Sequence, residues 1–221
     1  KYIGDAVLAT WGAPLKVDRE CDRAIEAAIQ MQLAGGKPVT LETPGGTIEQ
    51  VLETRVGIHH GLVLAGNLGS SRRFDYTVVG DSVNTAARLE GLNKMLGTSI
   101  LVSEAVLAKC AGRESFVSRR MGIYVLKGKT RGIVVHEILG RRDGAGHLVR
   151  MRSAEYLENY RLGLEAFITG DWTEADRHLN VSLGMHDRDA EDPASRLILD
   201  TIGELESPPA DWCGEVFLSS K

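Results

Sequence analysis

The sequence predicts an α+β fold with a mostly antiparallel sheet, followed by a small α-helical tail. Three observations predict it. β-rich runs and amphipathic runs interleave up to about residue 139, turn-forming glycines separate successive β-rich runs, and beyond Gly140 the pattern becomes helical. At 221 residues with 43% hydrophobic content, the chain can bury a sizeable core, and its composition does not fit disorder.

Residues 1–12 alternate in the manner of a strand from the first position, so the chain is expected to begin inside a domain. After Gly12-Ala-Pro14, Asp18 precedes Cys21, Ala24, Ile25, Ala28 and Ile29, whose spacing predicts an amphipathic helix ending near Gly35-Gly36. Gly45-Gly46 marks a loop or turn. Residues 55–60 and 62–65 read as a strand bent at Gly61, and 74–79 as another. The helix that follows is expected to be capped by Asp81 or Ser82, with Val83, Ala86, Ala87 and Leu89 buried and Asn84 and Arg88 together on a neighbouring face.

Residues 99–102 predict a short strand, and Ser103 a cap for a helix reaching Cys110. Residues 116–126 and 133–139 predict two strands around a hairpin turn at Lys127-Gly-Lys-Thr-Arg-Gly132. Gly140-Arg-Arg-Asp-Gly-Ala-Gly146 mixes glycine and charge without periodicity. It divides the chain into a domain over 1–140, a linker over 141–152 and a helical tail over 153–221. Within the tail, 156–168, 174–183 and 194–205 are helix-like, with Gly170-Asp-Trp172 as a turn and Thr173-x-x-Asp176 as a capping box. This helix pair resembles one tetratricopeptide-type unit, which cannot bury its own apolar face and is expected to pack on something.

Composition excludes several classes. The 26 basic and 30 acidic residues leave no footprint for nucleic acid. Cys21, Cys110 and Cys213 are far apart and form no C-x-x-C pair, so neither a disulfide framework nor a zinc site is expected, and a reducing, cytoplasmic setting fits best. His59 and His60 are neighbours on a predicted strand, where side chains alternate between faces, and read as structural.

The candidate chemistry lies in scattered polar residues. Lys1 and Asp5 share strand parity, yet on one straight strand they would stand roughly 13 Å apart. Asn84 and Arg88 are one helical turn apart, about 6 Å, close enough to hold one small polar ligand. Arg55, Lys127 and Lys129 add cationic donors near strand ends and turns. Cations, an amide and a carboxylate together suit a polyphosphate bound with metal.

Taken in order, Lys1-x-x-Gly-Asp5, Arg55-Val-Gly-Ile-His-x-Gly61, Gly80-Asp-x-Val-Asn-x-Ala-Ala-Arg88 and Lys127-Gly-Lys129 resemble class III adenylyl cyclases. The resemblance implies a ferredoxin-like nucleotide cyclase domain that works as a head-to-tail homodimer with shared active sites. It makes Asp5 one of two metal-binding aspartates and, with Arg55 near the phosphates, places it on one side of a site. Lys1, Thr77, Asn84, Arg88 and Lys127 then belong to the partner's side.

The implied reaction is attack of the ribose 3′ oxygen of ATP on the α-phosphorus, giving cyclic AMP and pyrophosphate, with two divalent cations, Mg²⁺ or Mn²⁺. Asn84 is implied to orient the ribose and Arg88 to meet the developing charge. Lys1, a donor-only group, suits adenine N1, and Thr77 can accept from N6. Thr77 departs from the family's commonest aspartate and resembles the threonine-type subgroup. The other metal-binding aspartate belongs upstream of Lys1, so the chain by itself is expected to be incomplete for activity. A membrane-anchored sensor upstream is implied by the resemblance of the tail to those of bacterial cyclases. Two further readings stay open, a guanylyl cyclase and a non-catalytic cyclase-like dimerisation module.

Overall fold

The computed structural model describes residues 1–70, 73–142, 152–185 and 192–218. Its centre is a five-stranded sheet of order β11-β9-β10-β8-β5. The strands are β5 (Val56–Ile58), β8 (Ile100–Ser103), β9 (Phe116–Val125), β10 (Ile133–Arg141) and β11 (Glu215–Phe217). The β9-β10-β8 centre is antiparallel, while β5 and β11 add parallel edges.

Both faces of this sheet are covered, and β8 shows how. All four of its residues are buried, and because successive strand residues point to opposite faces, Ile100 and Val102 join one core and Leu101 the other. Helix α1 (Glu20–Gly35) and the short α3 (Glu104–Lys109) cover the first face, where Cys21, Ile25, Ala28 and Ile29 meet Val106, Leu107 and Phe116. Helix α2 (Asp81–Leu96) covers β5 and β8 on the second. Gly57 makes the α2 crossing possible. A Cβ there would lie 2.2 Å from the Glu90 nitrogen and 2.3 Å from the Ala86 oxygen, so any side chain would push the helix off the sheet.

Three antiparallel hairpins stand outside the sheet: β1 (Tyr2–Ile3) with β2 (Ala6–Val7), β3 (Pro38–Thr43) with β4 (Gly46–Val51), and β6 (Leu64–Ser70) with β7 (Arg73–Val79). The first corrects the expectation of one strand over 1–12. The chain turns back at Gly4-Asp5, where Gly4 takes φ +63°, a conformation easy only for glycine. The second was not expected as strands, since exposed Thr, Glu and Gln dilute its pattern on both faces.

The C-terminal helices are α4 (Ala154–Thr169), α5 (Trp172–Gly184) and α6 (Pro193–Leu205). They do not stand apart from the sheet. Tyr160, Leu164, Leu179 and Ile198 share one core with Leu89, Leu92 and Leu96 of α2 and with Met121 and Tyr124 of β9. The α4–α5 turn is set by Gly170 in the left-handed region and by Asp171, whose carboxylate accepts from the Glu174 amide, so the expected Thr173-x-x-Asp176 capping box is replaced by an Asp171 cap. Trp172 and Trp212 pack edge to face, and both indole nitrogens donate to the Phe167 carbonyl. β10 continues through Arg141, so the sheet extends into the expected linker, whose positions 143–151 lie outside the described residues.

A buried histidine and a half-buried one predict a pH response. His136 on β10 and His59 after β5 are both held below the ordinary imidazole value of 6.5, first by burial; Glu104 opposes this at His136, and the Lys129 charge reinforces it at His59. The unfolded chain therefore takes up protons below about pH 6.5 that the folded chain refuses, so this contribution to stability is complete above that pH and declines below it. The urea midpoint should fall between pH 7.5 and 5.5, and His136→Gln should flatten the fall. A midpoint unchanged over that window would refute the assignment.

Candidate active site

Helix α2 carries the polar centre of the site. It begins directly after β7, with Gly80 at its N-cap position and no side-chain cap, which corrects the expected capping by Asp81 or Ser82. The reason is competition from the tertiary structure. The Ser82 hydroxyl donates to the Leu62 carbonyl at 2.9 Å, and the Asp81 carboxylate accepts from the Lys129 ammonium. That ammonium holds Asp81 below the usual carboxylate range. Ser103 likewise fails to cap α3, because its hydroxyl is engaged with His59 Nδ1 at 2.8 Å.

Asn84 is exposed and Arg88 half-buried, on successive turns of α2. The buried stripe of the helix is Thr85, Leu89, Leu92, Asn93 and Leu96. Ala87, expected to be buried, is exposed. Arg88 lies over the β9–β10 turn, within 3.5 Å of where a Cβ on Gly128 would stand. The structure thus brings Arg88 together with the Lys127-Gly128-Lys129 turn, Lys127 being exposed and Lys129 tied to the first turn of α2.

Lys1 and Thr77 lie in the neighbouring hairpins. The Lys1 ammonium pairs with the Asp75 carboxylate on β7, and Asp75 and Thr77, two residues apart on one strand, point to the same face. Thr77 is half-buried opposite Gly66. Arg55 is held at 3.3 Å by Glu90 of α2, and Asp5 is exposed in the β1–β2 turn. No described contact joins Asp5 or Arg55 to Asn84 or Arg88.

Sequence reasoning missed Asp75 and gave Lys129 no firm place. The signals were present, since Asp75 shares parity with Thr77 and Lys129 is the second lysine of the turn motif. Other charged groups have structural partners: Arg141 pairs with Glu26 at 2.9 Å, Arg142 donates to the Glu114 carbonyl, and Arg72 lies outside the described residues. His60 faces the Cys21 thiol at 3.8 Å.

Among the described residues no group of three or more His, Cys, Asp or Glu side chains converges. A magnesium-type ion, however, is held by one or two carboxylates together with substrate phosphates, so the exposed Asp5 carboxylate fits as one ligand to an ion arriving with a polyphosphate.

Comparison with known proteins places the fold in a family. Residues 1–140 match the adenylate and guanylate cyclase catalytic domain, and the chain belongs to that family. It is 36% identical over 140 residues to adenylate cyclase 1 of Rhizobium meliloti (strain 1021), covering 63% of this chain and 20% of that protein. It is 39% identical over 142 residues to the adenylate cyclase of Anabaena cylindrica, covering 62% and 27%. The chain thus spans about a fifth to a quarter of the length of these relatives. Among solved structures, the guanylyl cyclase Cya2 superposes with a TM-score of 0.53 at 26% identity, covering 68% of this chain and 73% of that one. Among the described residues no helix is long and apolar enough to cross a membrane.

Proposed function

We propose that the chain supplies the catalytic domain of an adenylyl cyclase of the threonine-type subgroup, converting ATP to 3′,5′-cyclic AMP and pyrophosphate at sites shared between two copies arranged head to tail. The observation that carries this reading is Arg88, one helical turn beyond Asn84 on α2, lying over the Lys127–Lys129 turn in a chain of this family.

In the reaction the ribose 3′ oxygen gives its proton to solvent water and bonds to the α-phosphorus, and the bond from that phosphorus to the pyrophosphate oxygen breaks, pyrophosphate leaving with the electron pair. Asn84 is placed to hold the ribose by its amide. The Arg88 guanidinium meets the charge that grows on the transferring phosphoryl oxygens, and such preorganised charge supplies much of the catalysis in phosphoryl transfer. Lys127 adds a cation for the polyphosphate, and Arg55 does so by exchanging Glu90 for phosphate. Two Mg²⁺ or Mn²⁺ ions, when bound, neutralise the polyphosphate and acidify the attacking hydroxyl; Asp5 is the residue of this chain that would hold them.

Adenine presents an acceptor at N1 and a donor at N6. A lysine bound to Asp75 keeps further N–H donors for N1, and Thr77 can accept from N6. This favours ATP over GTP. A second copy is supported by exposed apolar side chains around Lys1 and Thr77, namely Tyr2, Ile3, Leu62, Leu64 and Tyr76. The helix pair α4–α5 is proposed to be tetratricopeptide-like, and the domain to work on the cytoplasmic side of a longer protein with an upstream sensor.

The test uses the full-length protein with ATP or GTP and either metal ion. Cyclic AMP is the expected product; neither cyclic nucleotide appearing would sink the enzyme reading and favour a dimerisation module, and cyclic GMP alone would make the protein a guanylyl cyclase. Mixing Asp5→Ala and Arg88→Ala variants, each inactive, should restore up to about a quarter of parent activity, because only heterodimers carry an intact site, and one at that. No recovery would argue against shared sites.

A further inference from the structure

The family match ends at residue 140, yet helix α2 is gripped by residues well beyond it. The N-terminal half of α2 carries the exposed Asn84 and the half-buried Arg88. The inner stripe, Leu89, Leu92 and Leu96, is at most 2% exposed and shares one core with Tyr160, Leu164, Leu179 and Ile198. Helix α6 lies directly on α2. They approach closely where α2 ends. Gly97 closes α2 at φ +62°, and a Cβ there would stand 2.9 Å from the ring carbons of Pro193, the first residue of α6.

The position of Pro193 is in turn tied to the sheet. Asp192, the preceding residue, is 2% exposed and accepts from the Tyr156 hydroxyl at 2.8 Å and from Ser195 at 2.5 Å. The same Tyr156 oxygen accepts from Arg119 of β9, whose guanidinium also binds Glu137 of β10 at 2.6 Å and lies over the Tyr160 ring at 4.5 Å. A polar path therefore runs from the sheet through α4 to Asp192 at the head of α6, and the next residue, Pro193, rests its ring on the end of α2. Beyond α6 the chain returns to the sheet, where β11 pairs in parallel with β9. The C-terminal layer is thus anchored on the sheet and leans on the helix that carries the site.

We propose that this C-terminal layer positions the α2 half of each active site, with Tyr156 and Pro193 as positioning residues acting through α2. Helix α2 has two supports: the sheet at β5 and β8 beneath it, where Gly57 allows close contact, and α6 against its last turn. Removing the second lets the helix shift or tilt on the first. A displacement of about 1 Å at a charge-stabilising group can cost on the order of a hundredfold in rate, so a small loosening at Pro193 is felt at Arg88. Substrate affinity, spread over Lys1, Thr77 and Arg55 on other elements, changes less.

The inference rests on the shared-site reading, and that reading supplies a test which separates positioning from simple stabilisation. In a heterodimer of the full-length protein, with one chain Asp5→Ala and the other Arg88→Ala, the surviving site takes Asn84 and Arg88 from the Asp5→Ala chain alone. Tyr156→Phe or, as a milder second variant, Pro193→Ala is added to one chain at a time and the heterodimer purified by separate tags. Placed in the Asp5→Ala chain, either change should lower kcat about tenfold while KM for ATP stays within about twofold. Placed in the Arg88→Ala chain, it should leave kcat within about twofold of the unmodified heterodimer. Equal losses in both placements, or no loss in either, would overturn the proposal. An unmodified heterodimer without activity would overturn the shared-site reading and this inference with it.

Discussion

Arg119→Ala should destabilise the protein by about 3–5 kcal/mol, the cost of breaking a buried ion pair from one side. The side chains of Arg119 and Glu137 are 6% and 2% exposed, and their contact is 2.6 Å. Burial alone disfavours the guanidinium charge, but Glu137, Tyr156 and Tyr160 outweigh it and raise the Arg119 pKa further above its usual value. Alanine strips the buried carboxylate of its guanidinium, removes the cation from the faces of Tyr156 and Tyr160, and cuts the link to α4. Domains are typically stable by only about 5–15 kcal/mol, so one such change takes a large share of the total. The double variant Arg119→Met with Glu137→Leu should recover most of the loss, because it leaves no stranded charge. Urea unfolding of the three proteins measures this. A loss under about 1 kcal/mol for Arg119→Ala, as for an exposed pair, would show that the link between sheet and tail is superficial.

That link also marks the boundary of what could be read from the sequence. Periodicity located α1 and α2, and the turn at Lys127–Gly132 stands where the β9 and β10 patterns leave a gap. The motif residues on α2 were legible because their spacing is local, four residues on one helix. What failed was decided by partners distant in the chain. The α2 cap was lost to Lys129, 48 residues away, and the α3 cap to His59, 44 away. Arg119 and Arg120 look alike in sequence, yet only the first is buried, because β9 turns it toward Tyr156. The pairing of β11 with β9 rests on three residues whose pattern is too short to carry a strand signal. Gly57 is the opposite case. It sits within a motif read for its polar neighbours, and its own role is to let α2 touch the sheet.

Arg88→Ala should lower kcat by about 10²–10³-fold under the proposed reaction, the usual consequence of removing one preorganised donor from developing charge, with a smaller change in KM for ATP. The split follows from placement. Arg88 stands on the same helix as Asn84 and over the Gly128 turn, apart from the Lys1 and Thr77 hairpins that would read the base, so its charge acts on the phosphoryl group as the transition state forms. Arg88→Lys should rescue little. An ammonium is a point donor that cannot reproduce the planar fork of the guanidinium, and two lysines already occupy the adjoining turn without replacing it. Stability should change little for either variant, because Arg88 is outside the buried stripe of α2; unaltered urea midpoints would separate lost chemistry from lost fold. Steady-state kinetics with ATP decides the matter. A KM raised in proportion to the loss in kcat/KM, with kcat intact, would make Arg88 a binding group for the ground-state polyphosphate and move the charge-stabilising role to Lys127 or Lys129.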